Sequence, residues 1–253
     1  MIKNKKFKNH FITKKSSGDE LQNRDNLLKT FKKSPVYRDE VIENFGLFLT
    51  TKNFSRMLFF YEMYKKIVNN EGVIFEFGVR WGQNLSLLIA LRGMLEPYNV
   101  KRKIIGFDTF EGFIKENKID DNKYKKGTLS LPKNYYNYLN NLLETLEKEN
   151  PANHLKKYEL IKGDAPKELK KYLIKNPETL ASLVFFDMDI YEPTKECLSI
   201  IKPHLFKGSI LAFDELNCDM AKGITKALSE TFEIQKLEIK RIPFISRVSY
   251  IVL

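Results

Sequence analysis

The sequence predicts an α/β fold: a Rossmann-like, seven-stranded, mostly parallel sheet with helices on both faces and a C-terminal antiparallel strand. Three observations predict it. Short apolar runs alternate five times with segments of helical periodicity, and two further runs follow with no helix between them. A turn containing Gly78 and Gly82 joins the first run to its helix. The runs end at Gly78, Asp108, Asp164, Asp187 and Asp214. Ligands of such sheets bind at the C-terminal strand ends, where the strand order reverses. One acid after a strand means little, but four in succession point to one shared crevice.

In chain order, residues 1–33 carry ten Lys or Arg against three Asp or Glu, so +7 of the net charge of +11 lies here. This stretch reads as a basic, partly disordered arm. A helical segment is expected over 34–70. A short helix near Pro35 comes first, then a clearer one over 52–70 with Phe54, Met57, Leu58, Tyr61, Met63, Tyr64 and Ile67 at helical spacing. The main domain occupies 71–253. Its first strand, Val73 to Phe77, leads through Gly78 and Gly82 into a helix over 84–93, with Leu85, Leu87, Leu88 and Leu91 inward.

The second strand ends in Asp108, followed by Thr109. A polar, glycine-containing stretch makes residues 111–135 a candidate lid, with a plain surface insertion as the alternative. A helix over about 133–149 and a strand over 158–162 follow. Asp164 then reads as the N-cap of a helix with Pro166 in its first turn, or as a partner for an adenine amino group. The fourth strand, from Ala181, ends in Asp187, and a helix is expected from Lys195 to Leu205. The fifth strand ends in Asp214 and Glu215, with a helix over about 219–230 after it. Thr231 to Ile239 and Ser246 to Val252 read as a closing strand pair.

Composition bounds the function. No apolar run approaches the ~20 residues of a bilayer span. Cys197 and Cys218 lie outside any CxxC or metal spacing, which suits a reduced, cytoplasmic protein with both as small buried groups. His10, His154 and His204 form no metal or triad pattern. The nucleotide motifs G-x-G-x-x-G and G-x-x-x-x-G-K-[ST] are absent, which argues against a dinucleotide or a P-loop triphosphate.

The motif Glu76-x-Gly78-x-x-x-Gly82, followed by a strand ending in Asp108, resembles the class I S-adenosylmethionine-dependent methyltransferases. The segments Phe107 to Phe113, Asp187-Met-Asp-Ile-Tyr-Glu-Pro-Thr194 and Asp214-Glu215 are similar to those of the macrocin, mycinamicin and novobiocin-pathway O-methyltransferase family. The likeness spans roughly residues 50–253. It implies a cofactor site from Glu76, Gly78, Gly82, Asp108, Thr109, Asp164 and Asp187. It also implies a divalent metal, usually magnesium, on Asp187, Asp214 and Glu215. Glu215 stands where an Asp is common, and Met188 replaces a glycine.

Physical reasoning supports a cation independently. Neighbouring carboxylates repel unless they share a cation or proton, and hard oxygens suit Mg²⁺. Asp187 is the first choice for the base that takes a hydroxyl proton; Asp189 is second, or else shapes the turn. The expected function is O-methylation of a small polar acceptor. A sugar, sugar nucleotide, surface-polysaccharide precursor or glycosylated natural product suits the site, as does a phosphoramidate-bearing precursor. Two other readings are an RNA methyltransferase guided by the basic arm and a non-catalytic binding protein of the same fold. A homodimer through the N-terminal helices is also expected.

Overall fold

A computed structural model describes residues 16–114, 118–120 and 125–253. The chain divides into two compact units, Met1–Phe54 and Ser55–Leu253. In the first, Gly18–Lys32 forms helix α1. The sequence reading has this stretch as part of a loose arm. A capping box explains the difference: the Ser17 hydroxyl accepts from the Glu20 N–H, and the Glu20 carboxylate accepts from the Ser17 N–H. No residue of α1 is buried. Residues 1–15 of the expected arm lie outside the described residues. The short helix expected near Pro35 is replaced by turns and one 3₁₀ turn, Phe45–Phe48, which Asn44 precedes without a side-chain cap bond.

Helix α2 runs from Thr51 to Ile67, and from Ser55 onward it belongs to the second unit. Its buried face is Ser55, Phe59, Phe60, Met63, Tyr64 and Ile67. The stripe is therefore rotated from the predicted one, and Phe54 stays half exposed.

The second unit is built on β1 (Val73–Phe77), α3 (Gln83–Leu95), β2 (Ile104–Asp108), α4 (Tyr135–Lys148), β3 (Tyr158–Lys162) and α5 (Ala165–Lys175). Then come β4 (Ala181–Phe186), α6 (Tyr191–Ile201), β5 (Ile210–Phe213), α7 (Lys222–Thr231), β6 (Lys240–Arg241) and β7 (Ser249–Val252). The strands form one seven-stranded sheet in the order β3-β2-β1-β4-β5-β7-β6. Strands β1 to β5 are parallel, and β7 runs antiparallel between β5 and β6. The predicted architecture is the one observed.

Both faces of the sheet are covered. One core joins Phe59, Phe60, Met63 and Tyr64 of α2 to Leu85, Leu88, Leu139 and Leu143 over the face bearing Ile74 and Phe185. The other joins Leu169, Tyr172, Leu198, Ile201 and Leu228 to Phe75, Phe77, Phe107 and Phe186. That is why β1 and β4 read as continuous apolar runs rather than alternating ones.

Two boundaries differ from the sequence reading. Helix α6 starts at Tyr191 rather than Lys195, with Pro193 in its first turn, where a missing N–H breaks no bond. The run Thr231 to Ile239 is not a strand. Helix α7 continues to Thr231, a 3₁₀ turn covers Ile234–Lys236, and only Lys240–Arg241 pairs with β7. Phe232 and Leu237 pack on the second core instead.

Candidate active site

The strand order reverses between β1 and β4, so the crevice of the sheet opens at their C-terminal ends. The backbone ladder continues past the strands there and sets the acids side by side. Gly163 N–H donates to Asp108 O, Gly78 N–H to Phe107 O, Asp187 N–H to Phe77 O, and Asp214 N–H to Phe186 O. Asp164, Asp108, Gly78, Asp187 and Asp214 therefore sit at or next to five adjacent strand ends.

The glycine turn is tight for reasons of packing. Gly78 has φ +93°, and a Cβ there would lie 2.1 Å from Asp187 O. Gly82 has φ +79°, and its Cβ would strike Leu139 Cδ1 at 2.4 Å. The turn is held from below by Asp108. Its Oδ2 accepts from Arg80 N–H at 2.7 Å and its Oδ1 from Phe110 N–H at 2.6 Å. Burial raises the Asp108 carboxyl above its usual range, and these backbone donors oppose the shift. Thr109 shapes the following turn, donating to Gly112 O at 2.8 Å. Asp164 is the N-cap residue of α5 but makes no side-chain cap bond; its carboxylate pairs with Lys167 at 3.5 Å.

Glu76 lies in the middle of β1 with no exposure. Asn84, at the start of α3, donates to its Oε1 at 2.7 Å, while no donor meets Oε2. Burial pushes the Glu76 carboxyl up to about 8, and Asn84 pulls against it.

The acids after β4 and β5 meet through two arginines. Arg56 of α2 donates from Nη2 to Asp187 Oδ2 at 2.7 Å and from Nη1 to Asp214 Oδ1 at 2.8 Å. Its Nε donates to Asn84 Oδ1 at 2.9 Å. Arg247, just before β7, donates to Asp214 Oδ2 at 2.8 Å and to Glu215. Burial alone lowers a guanidinium's pKa, but Asp187 and Asp214 outweigh it and hold Arg56 firmly protonated.

Burial and the neighbouring Asp214 push the Asp187 carboxyl up to about 7, against the pull of Arg56. Asp189, in the left-handed region at φ +61°, rises well above the carboxylate range through burial, Glu215 and Asp187.

Three of these acids, Asp187, Asp214 and Glu215, thus pair with two guanidiniums. Among the described residues, no group of three or more acids, His or Cys stands ready around one metal position, because the guanidiniums lie between them. The donor chemistry nevertheless fits a divalent cation. The oxygens are hard, and Glu215 Oε2 is buried with no donor.

Arg56, Asn84 and Arg247 were not anticipated from the sequence. An arginine inside an otherwise apolar helical stripe, next to Ser55 and Met57, was the available signal for Arg56.

Among solved structures, that of CalS11, described as a calicheamicin methyltransferase, superposes with a TM-score of 0.91 at 35% identity, over 94% of this chain and 93% of that one. An apo structure of CalS11, described as a TDP-rhamnose 3'-O-methyltransferase, gives 0.83 at 33% identity over 94% and 95% of the two chains. The chain belongs to the class I S-adenosylmethionine-dependent O-methyltransferases. The O-methyltransferase NovP shares the fold, with a TM-score of 0.55 and 16% identity over 78% of this chain and 79% of that one. No protein-family model and no curated protein sequence matches the chain.

As an O-methyltransferase, the chain is homologous to CalS11 along nearly its full length. No helix among the described residues is long and apolar enough to cross a membrane.

Proposed function

We propose that this O-methyltransferase is metal-dependent and moves a methyl group from S-adenosylmethionine to a hydroxyl of a small, anionic, polyhydroxylated acceptor. A nucleotide-activated sugar serving a surface polysaccharide or glycosylated natural product is the class that fits best. The observation that carries the reading is the joint hold of Arg56 on Asp187 and Asp214, at 2.7 and 2.8 Å, beside the glycine turn. It puts acid, base and cationic groups within one crevice. The sugar-nucleotide class is supported by the TDP-rhamnose named for the 33% identical CalS11.

The residues divide the work. Gly78 and Gly82 leave room for the cofactor along bare backbone, and Asp108 faces that turn to receive the ribose hydroxyls. Buried Glu76, whose Oε2 has no donor, would take the cofactor's ammonium group. Asp187, Asp214 and Glu215 would hold the cation. A bound Mg²⁺ would supply Lewis acidity that lowers the pKa of an acceptor hydroxyl.

Methyl transfer forms an O–C bond as the C–S bond breaks, and the hydroxyl proton must leave. Asp187, whose carboxyl is raised by burial and by Asp214 in the free protein, would accept that proton. Alignment of acceptor oxygen, methyl carbon and sulfur in one line supplies much of the rate, so rigid placement of Asp187 by the β1–β4 ladder matters. The exposed rings of Trp81 and Tyr138, each packed at an angle on Tyr135, would offer aromatic contacts by the glycine turn for a planar or sugar ring.

The test is a panel of nucleotide sugars incubated with S-adenosylmethionine, with Mg²⁺ or with chelator, and read by mass spectrometry. The proposal expects one added methyl group on at least one sugar, lost under chelation. Methylation that persists in chelator removes the metal. Methylation confined to RNA added to the same assay removes the acceptor class.

A further inference from the structure

We infer that Arg56 is a resident counter-cation that competes with the divalent ion for Asp187 and Asp214, so that metal loading requires this side chain to withdraw. The inference deepens the metal-dependent reading above and rests on it. Its basis is geometric. The two Nη atoms of one planar guanidinium reach Asp187 Oδ2 at 2.7 Å and Asp214 Oδ1 at 2.8 Å. A Mg²⁺ bound to the same two oxygens at ~2.1 Å would lie where the guanidinium lies. Both cannot hold those two oxygens at once.

The arginine is braced from behind. Its Nε donates to Asn84 Oδ1, and Asn84 in turn donates to Glu76 Oε1. One side chain therefore touches the acids at two strand ends and, through a single amide, the buried carboxylate on the cofactor side. Its guanidinium also lies over the Phe185 ring, 5.5 Å from the centroid, which fixes its plane. Arg247 does not duplicate this arrangement. It contacts Asp214 and Glu215 but has no hydrogen bond to Asp187, and its side chain is 43% exposed against 21% for Arg56.

An unpaired acid corner is what a metal needs, and Glu215 Oε2 already lacks a donor. Removing Arg56 would leave Asp187 without its cation, and a divalent ion would then meet a competitor only in Arg247, on Asp214 and Glu215. Once displaced, the guanidinium is free to meet negative charge on an acceptor.

The experiment is a titration of the full chain with Mn²⁺ alone, free metal being read by electron paramagnetic resonance. Wild type, Arg56→Met, Arg56→Lys, Asn84→Ala and Asp187→Asn are compared. The inference expects Arg56→Met to bind Mn²⁺ about tenfold or more tightly than wild type. Arg56→Lys, which cannot bridge both acids as a fork, should fall between. Asn84→Ala should tighten binding more modestly, and Asp187→Asn should weaken it.

Equal or weaker Mn²⁺ binding by Arg56→Met overturns the inference, as does the absence of Mn²⁺ binding by every variant. Should Arg56→Met not fold by circular dichroism, Arg56→Lys and Asn84→Ala decide in the same way. Calorimetry with S-adenosylhomocysteine on the same samples reads the methyltransferase assignment separately. Cofactor binding with unchanged Mn²⁺ affinity sinks the role of Arg56 while leaving the enzyme class intact.

Discussion

Glu76 is a carboxylate with no exposure and one oxygen without a donor, in a strand buried along its whole length. Burial raises it to about 8, so the folded chain holds a proton that the unfolded chain releases near the ordinary value of about 4.3. Between those values the native state binds more protons, so stability falls as pH rises through the window. Glu76→Gln should flatten that decline, and thermal melts of both proteins from about pH 5 to about pH 8 would show it. Parallel melting curves would mean that Glu76 is not protonated in the free protein.

Asp187 makes a different prediction at the same scale. Asp187→Ala should abolish turnover while S-adenosylhomocysteine affinity stays within about tenfold, because the ribose contact we propose is at Asp108. Near-normal kcat would remove Asp187 as base. The acids themselves were legible in the sequence, since each follows an apolar strand. Their partners were not. Arg56 lies 131 residues from Asp187 and Arg247 lies 33 from Asp214, and only the folded sheet brings them together.

Among the elements, the β1–α3 turn couples backbone conformation to the site. Alanine at Gly78 would need φ +93° and would place Cβ 2.1 Å from the carbonyl of the proposed base. We expect Gly78→Ala to destabilise the fold by roughly 3 kcal/mol or more, with loss of turnover in whatever remains folded. Gly46→Ala meets nothing within 4 Å and should melt close to wild type. A Gly78→Ala protein with wild-type melting temperature and kcat would show that the turn tolerates a side chain.

Strand positions were readable because β1, β2, β4 and β5 are buried on both faces and, like the edge strand β3, lead into glycine or an acid. Helix phase and chain ends were harder. Apolar residues surround α2 on more than one side, so Phe54 looked inward while Phe59 and Phe60 carry the packing. The run after α7 alternates like a strand, yet its apolar residues serve the core through a 3₁₀ turn. Helix α1 rests on a local capping box that outweighs its polar composition.

For the whole molecule, the uneven charge separates two classes of acceptor. Residues 1–33 carry +7 of the net +11. With a small-molecule acceptor, removing them should leave kcat/KM for a nucleotide sugar within a few fold. An RNA enzyme would instead lose salt-sensitive binding.

The account rests on one crevice at the β1–β4 switch point, with the cofactor on the Asp108 side and the acids beside it. Calorimetric titration of S-adenosylhomocysteine into wild type and Asp108→Ala tests it most directly. The account predicts micromolar binding by wild type and a loss of about a hundredfold in the variant, roughly 2.7 kcal/mol. No binding by wild type at millimolar ligand, or equal binding by the two proteins, would contradict it.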